Sequence, residues 1–399
     1  GSPLGGLDQA LWKAGKHLDA HRVTFKPGIN EDLAATAVWG SQQTVLSPGA
    51  KYEGVFAMWY GKGPGVDRSA DVIKHANAAG SSSKGGVLAV TGDDHACKSS
   101  TFPHQSEQLY ISAMVPVLHA ADVQDVLDLG LHGWAMSRYS GCWVALKLVS
   151  DVADATAVVD VSPSRPHIKL PGEPLNLGLR WPDPPPQQEE RLVRQKLPAV
   201  LAYARANKLD RTMLHASMPR LGIMAPGKSY NDVRTALQIL GLSDADAKAL
   251  GVSVYKIAMP WPLEPEGAME FARENNTLLV VEEKRALVET QLKELLYSSE
   301  VRPSILGKRD LSNTPLLSET GELQPTRLAV IIAQQLIALG GADHLQPRID
   351  ALVKAEPEKL LDLIERKPHY CSGCPHNTST KAPEGSRVLG GIGCHYMAL

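Results

Sequence analysis

Residues 85–108 read GGVLAVTGDDHACKSSTFPHQSEQ, an apolar run that stops in a glycine, two aspartates and a dense polar loop. Apolar residues in unbroken succession mark a strand buried on both faces, as parallel sheets bury theirs. A polar loop at the end of such a strand is where open α/β sheets place ligands. Outward from it, NEDLAATAVWGSQ (30–42) spaces small and apolar residues for a helix, GVFAMWYG (54–61) is another short buried run, and SADVIKHANAAG (69–80) is a helix stopped by Gly80. SGCWVALKLVS (140–150) supplies a further strand. The alternation predicts a doubly wound, mostly parallel α/β sheet over residues 1–160.

The character changes at SPSRPHIKLPGEP and RWPDPPPQQEE, whose prolines exclude regular helix and central strand; residues 161–212 are read as a connecting arm leading into a helix near 189–207. A second alternating unit follows over 213–305, with strands at RLGIMA, VSVYKIAMP and NTLLVVEE and helices at SYNDVRTALQILG and GAMEFAREN. Residues 306–367 are predicted mainly helical, and 368–399 start a further domain with a cysteine motif.

With 399 residues, two or three domains are expected. A formal net charge of −2 and the lack of any Lys/Arg run exclude the basic face that nucleic acid requires. Apolar runs such as LAVIIAQQLIALGG fall short of the roughly 20 residues of a membrane span. Five unevenly spread cysteines fit a reducing cytoplasm better than a disulfide framework.

Several stretches could carry chemistry. GIMAPGKS (222–229) satisfies the Walker A pattern, and LLVVEE imitates the acidic strand that accompanies it, so a P-loop nucleotidase is a rival reading. Against it, Ile223, Met224 and Ala225 continue the strand, and Pro226 lacks the N–H a phosphate nest would use. The loop at 91–108 concentrates Asp93, Asp94, His95, Lys98 and His104; its bland reading is a solvated connection whose hydroxyls cap the next helix. Glu31, in the first turn of its helix, is by itself an ordinary dipole-favoured acid. YCSGCPHNTST (370–380) and GIGCHYMAL (391–399) bring Cys371, Cys374 and Cys394 into a metal-ligand pattern. From spacing alone, zinc with His376 as fourth ligand in a structural module and an iron–sulfur site are equally open. Cys97 and Cys142 read as ordinary thiols.

Taken together and in order, GSPLGG, GINEDLAATAVWGSQ, GKGPGVDRSAD, GGVLAVTGDDHACKSST, GIMAPGKSYNDV, LLVVEEKRALVETQLK and the cysteine motif resemble indolepyruvate ferredoxin oxidoreductase in its long fused bacterial form. The resemblance implies a thiamine diphosphate enzyme that oxidatively decarboxylates an aryl 2-oxo acid, passes electrons through iron–sulfur clusters to ferredoxin, and gives the acyl group to coenzyme A. It implies a pyrimidine-binding domain over 1–160, lacking its first strand, a transketolase C-terminal-like domain over 213–305, and the start of the diphosphate domain at 368–399. Glu31 falls on the glutamate that shares a proton with the aminopyrimidine ring and promotes its imino tautomer. Gly65, Asp67 and Asp94 would line the cofactor, while Ser2, His95 and Lys98 would face the substrate. Cys371, Cys374 and Cys394 become three thiolates of a [4Fe–4S] cluster whose fourth ligand lies elsewhere, and His376 is not a ligand. Mg²⁺ and the diphosphate would be held mainly outside these residues, commonly by a second protomer of a homodimer. The chain is thus expected to be a piece of a longer polypeptide, inactive by itself.

Overall fold

The short apolar runs become the strands of two sheets, and their order follows from which helices cover them. The structure, a computed structural model, describes residues 3–98, 100, 102–173, 175–355, 370 and 372–387. The first part of the chain runs α1 (Gly5–Lys13), α2 (Gly15–Ala20), α3 (Glu31–Gln42), β1 (Phe56–Lys62), α4 (Gly63–Arg68), α5 (Ala70–Ala79), β2 (Gly86–Asp93), α6 (Glu107–Ser112), β3 (Val117–His119), α7 (Val123–Ser140), β4 (Val144–Val149) and α8 (Ser150–Ala153). Its four strands are all parallel, in the order β1-β2-β4-β3. Every residue of β2 is buried, which is why its sequence shows no alternation.

The arm then leads to α9 (Pro185–Arg191), which passes through one π turn at 192–196 into α10 (Leu197–Ala206). Leu88, Val90, Val144 and Leu146 face α7 and α10, whereas Val87, Ala89 and Ala145 face α3, α5 and α6 through Ala35, Ile73 and Tyr110. The sheet is therefore covered on both sides, and each fully buried Val or Leu contributes about 1.5–3 kcal/mol. The arm's expected lack of helix needs correction at its end. Pro185 and Pro186 open α9, because a proline in the first helical turn sacrifices no hydrogen bond.

The second sheet comes from β5 (Arg211–Leu214), β6 (Leu221–Pro226), α11 (Lys228–Ile239), α12 (Asp244–Ala249), β7 (Val252–Ile257), α13 (Pro265–Glu274), β8 (Thr277–Val280), α14 (Val288–Tyr297) and β9 (Ser304–Leu306). Its order is β5-β7-β6-β8-β9, with β5 the antiparallel edge. After an irregular stretch, α15 (Pro325–Ala338) packs on α11, and α16 (Gln346–Ala355) follows. Gly1–Ile349 form one compact unit, so the two sheets share it. Edge strand β3 joins them: Val117 N donates to Trp261 O and His119 N to Ala258 O, both at 2.8 Å. Asp350–Leu399 form a second unit, whose described part contains α17 (His376–Ser379). Among the described residues no helix is long and apolar enough to cross a membrane.

Candidate active site

The C-terminal ends of β1, β2 and β4 bring most of the expected site residues to one edge of the first sheet. Glu31 opens α3 because Asn30 caps the helix, its side chain accepting Leu33 N at 2.8 Å. Trp59 of β1 fixes that turn from beneath, donating Nε1–H to Glu31 O at 2.9 Å. The carboxylate itself is 37% exposed, with Arg68 Nη1 at 3.7 Å. Gly65 is required here, since a Cβ on it would sit 2.6 Å from Glu31 Cγ. Asp67, one turn along α4, lies 3.2 Å from His104 Nε2. Glu31, Gly65, Asp67 and His104 thus form one group at the end of β1.

The loop after β2 forms the neighbouring group. Asp93 accepts both the backbone N–H and the hydroxyl of Ser106, and Asp94 Oδ1 accepts Lys98 N at 2.9 Å, a local turn that sets the loop's shape. The Lys98 ammonium is half exposed and pairs with Glu322 at 3.0 Å and Asp151 at 3.3 Å. His95 is buried instead, with Nε2 3.1 Å from Lys147 Nζ and Nδ1 3.9 Å from Glu283 Oε2. Burial, reinforced by the Lys147 ammonium, holds its imidazole well below the usual histidine range. Pro3 and Leu4 lie against Gly92, so the N-terminal segment reaches the end of β2. Ser2 itself lies outside the described residues.

Lys147, Glu107, Glu283 and Lys284 escaped the reading of the sequence. Lys147 sits in β4 with 2% of its side chain exposed, 2.6 Å from Glu107 Oε1 and 3.4 Å from Asp93 Oδ2. A signal existed: a lysine inside VALKLV, an otherwise apolar strand, must be paired. Glu283 and Lys284 come from the loop after β8, within LLVVEEKRALVETQLK, a stretch that carries part of the resemblance without singling out either residue.

In the GIMAPGKS stretch, β6 runs through Pro226, which pairs in register with Ile257. Gly227 packs on the His119 ring. Lys228 Nζ is committed to Asp232 at 2.9 Å, Asp151 at 3.5 Å and Glu283 at 3.6 Å. This is a strand and turn whose lysine serves internal pairs. Among the cysteines expected to be ligands, Cys374 is half-buried with Sγ 3.2 Å from His376 Nδ1. Cys371 and Cys394 lie outside the described residues. Among the described residues no group of three or more His, Cys, Asp or Glu is placed to hold a metal.

Comparison with known proteins adds to this geometry. Residues 211–359 match the model of the indolepyruvate oxidoreductase domain. The chain is 25% identical over 360 residues to the indolepyruvate oxidoreductase subunit IorA of Methanothermobacter thermautotrophicus, covering 88% of this chain and 51% of that protein. The IorA of Methanothermobacter marburgensis is likewise 25% identical over 384 residues, 94% of this chain and 55% of that protein. The chain therefore spans about half the length of the relatives it matches. Among solved structures, the 2-oxoglutarate:ferredoxin oxidoreductase from Magnetococcus marinus superposes with a TM-score of 0.55 over 84% of this chain and 61% of that one; at 14% identity the likeness concerns the fold alone. Motif order, fold and these matches agree: residues 211–359 carry the indolepyruvate oxidoreductase domain pattern, and most of the chain is similar to IorA subunits of indolepyruvate oxidoreductase.

Proposed function

We propose that this chain supplies the thiamine-binding wall of an enzyme that oxidatively decarboxylates aryl 2-oxo acids of the indole-3-pyruvate class, with ferredoxin as electron acceptor and coenzyme A as acyl acceptor. The observation that carries the reading is the Glu31 carboxylate, partly open at the end of β1 and possible only because Gly65 has no side chain. That donor set fits a heteroaromatic ring: one carboxylate able to share a proton with a ring nitrogen, beside a glycine surface a flat ring can approach. When bound, thiamine diphosphate supplies the electron sink for loss of CO₂ from the 2-oxo acid.

What this chain's residues contribute follows from their places. Glu31 holds the shared proton against the ring nitrogen, and Asp67 and Gly65 shape the floor beside it. Asp94 keeps the 94–98 loop folded through Lys98 N and so presents the half-exposed Lys98 ammonium to the substrate carboxylate, a role the resemblance also gives to Ser2. Cys371, Cys374 and Cys394 would give three thiolates to a [4Fe–4S] cluster on the electron path, a proposal supported by their spacing. Mg²⁺ with the diphosphate, and the second protomer of a homodimer, would complete the site, in the cytoplasm.

The test is anaerobic turnover of the complete protein with indole-3-pyruvate, coenzyme A and ferredoxin. Ferredoxin reduction that vanishes when thiamine diphosphate is withheld is expected. Reduction independent of thiamine, or zinc without iron at the cysteines by metal analysis, would refute the enzyme or the cluster assignment respectively.

A further inference from the structure

The loop after β2 is held from two sides, and the group in the middle is His95. We propose that His95 is a positioning residue of the 94–98 loop, fixed as its Nδ1–H tautomer between Lys147 and Glu283, rather than a cation offered to the substrate. This rests on the reading above that the loop lines the active site.

The tautomer follows from donors and acceptors. The Lys147 ammonium carries three N–H groups and meets three acceptors: Glu107 Oε1 at 2.6 Å, His95 Nε2 at 3.1 Å and Asp93 Oδ2 at 3.4 Å. An ammonium cannot accept, so His95 Nε2 must present its lone pair and the ring proton stands on Nδ1. Nδ1 faces Glu283 Oε2 at 3.9 Å, a carboxylate anchored by accepting Leu323 N at 3.1 Å. Lys284 also reaches across from the second sheet to donate Nζ–H to His95 O. It does so from a left-handed backbone, φ +56°, a conformation that a non-glycine residue adopts only when its surroundings enforce it.

The titratable groups facing His95 are Lys147 from β4, His119 from β3, Lys228 from α11, and Glu283 and Lys284 from the loop after β8, with Glu107 of α6 reaching it through Lys147. Cations on several sides oppose a second ring proton, in line with the depressed imidazole. With Lys147 behind it and Glu283 and Lys284 across from it, His95 pins the segment whose next residues, through Asp94 and Lys98 N, form the loop's turn. The second α/β half thus sets the conformation of a loop in the first.

The test combines a spectroscopic and a kinetic arm on the complete protein. With ring-labelled histidines and the His95 signal assigned by its loss in His95→Asn, NMR is expected to show a neutral Nδ1–H ring that does not titrate across the neutral range. An Nε2–H ring, or one that charges near the ordinary histidine pKa, would overturn the proposal. Kinetically, His95→Ala is expected to lower kcat by about tenfold or more with KM for the 2-oxo acid within about threefold, the pattern of lost positioning. His95→Asn, which keeps a donor toward Glu283, should recover much of that loss. A KM raised about tenfold at unchanged kcat would make His95 a substrate contact and sink the idea. Should His95→Ala fold poorly, Glu283→Gln tests the same clamp through the same kcat-against-KM split and the same NMR signal. If the unaltered protein lacks thiamine-dependent turnover, the functional reading fails while the NMR arm still decides the tautomer.

Discussion

Asp210 carries a carboxyl group into a place where burial outweighs the nearby Arg211 guanidinium. Its Oδ1 accepts Ala258 N at 2.7 Å and Met259 N at 2.9 Å, steadying the segment that joins the two sheets, but buried Oδ2 has no hydrogen-bond partner. Burial pushes this carboxyl up to about 7. A group whose folded pKa is raised binds its proton more tightly in the fold, so its stabilising effect is present at acid pH and is lost as pH rises from the ordinary 3.8 through about 7. Asp210→Asn keeps the acceptor and removes the charge. It should therefore stabilise by on the order of 1–3 kcal/mol at pH 8 and by little at pH 4 in denaturant titrations. A change that is the same at both pH values would contradict this account. Lys147 solves the opposite problem: burial would lower its ammonium, and Glu107 and Asp93 more than reverse that. Its presence inside a strand was legible; its partners were not, because Glu107 and Asp93 meet it only once α6 is folded over the sheet.

At the level of elements, the strand, turn and helix from β6 to α11 illustrate how a short motif misleads. A phosphate cradle needs successive free N–H groups and an uncommitted cation, whereas β6 uses Pro226 in its ladder and Lys228 is spent on Asp232, Asp151 and Glu283. Calorimetric titration with MgATP is expected to give no saturable binding with either the unaltered protein or Lys228→Ala; binding lost only in the variant would restore the nucleotidase reading. Elements with strong local signals were readable: β2 from its unbroken apolar run, α3 from the spacing of its small and apolar residues, α5 from Gly80. Helix α7 was not. Gly130 and Gly133 break its apolar pattern, and the structure shows the reason for the second, since a Cβ on Gly133 would lie 2.4 Å from Leu88 Cδ1. The helix gives up propensity there to approach the sheet. At the candidate site, Glu31 and Gly65 were named from motif order and lie together, but Lys284 meets His95 across 189 residues of chain, a contact no local pattern encodes.

Over the whole molecule, the two sheets of the first unit converge so that the loops after β1, β2 and β8 gather around one edge, with β3 hydrogen-bonded across the join. The chain matches about half the length of its relatives, and the activity proposed belongs to the complete protein. Its central claim is that Glu31 shares a proton with the bound thiamine ring. Glu31→Gln probes this cleanly, because the side chain is partly exposed and the Asn30 cap that starts its helix is untouched. The decisive measurement is thiamine-dependent turnover of indole-3-pyruvate by the complete protein carrying Glu31→Gln, with its secondary structure checked by circular dichroism. A fall in kcat of about 100-fold or more in a folded protein is predicted, the scale of a lost acid–base partner; turnover within about threefold of the unaltered protein would contradict it.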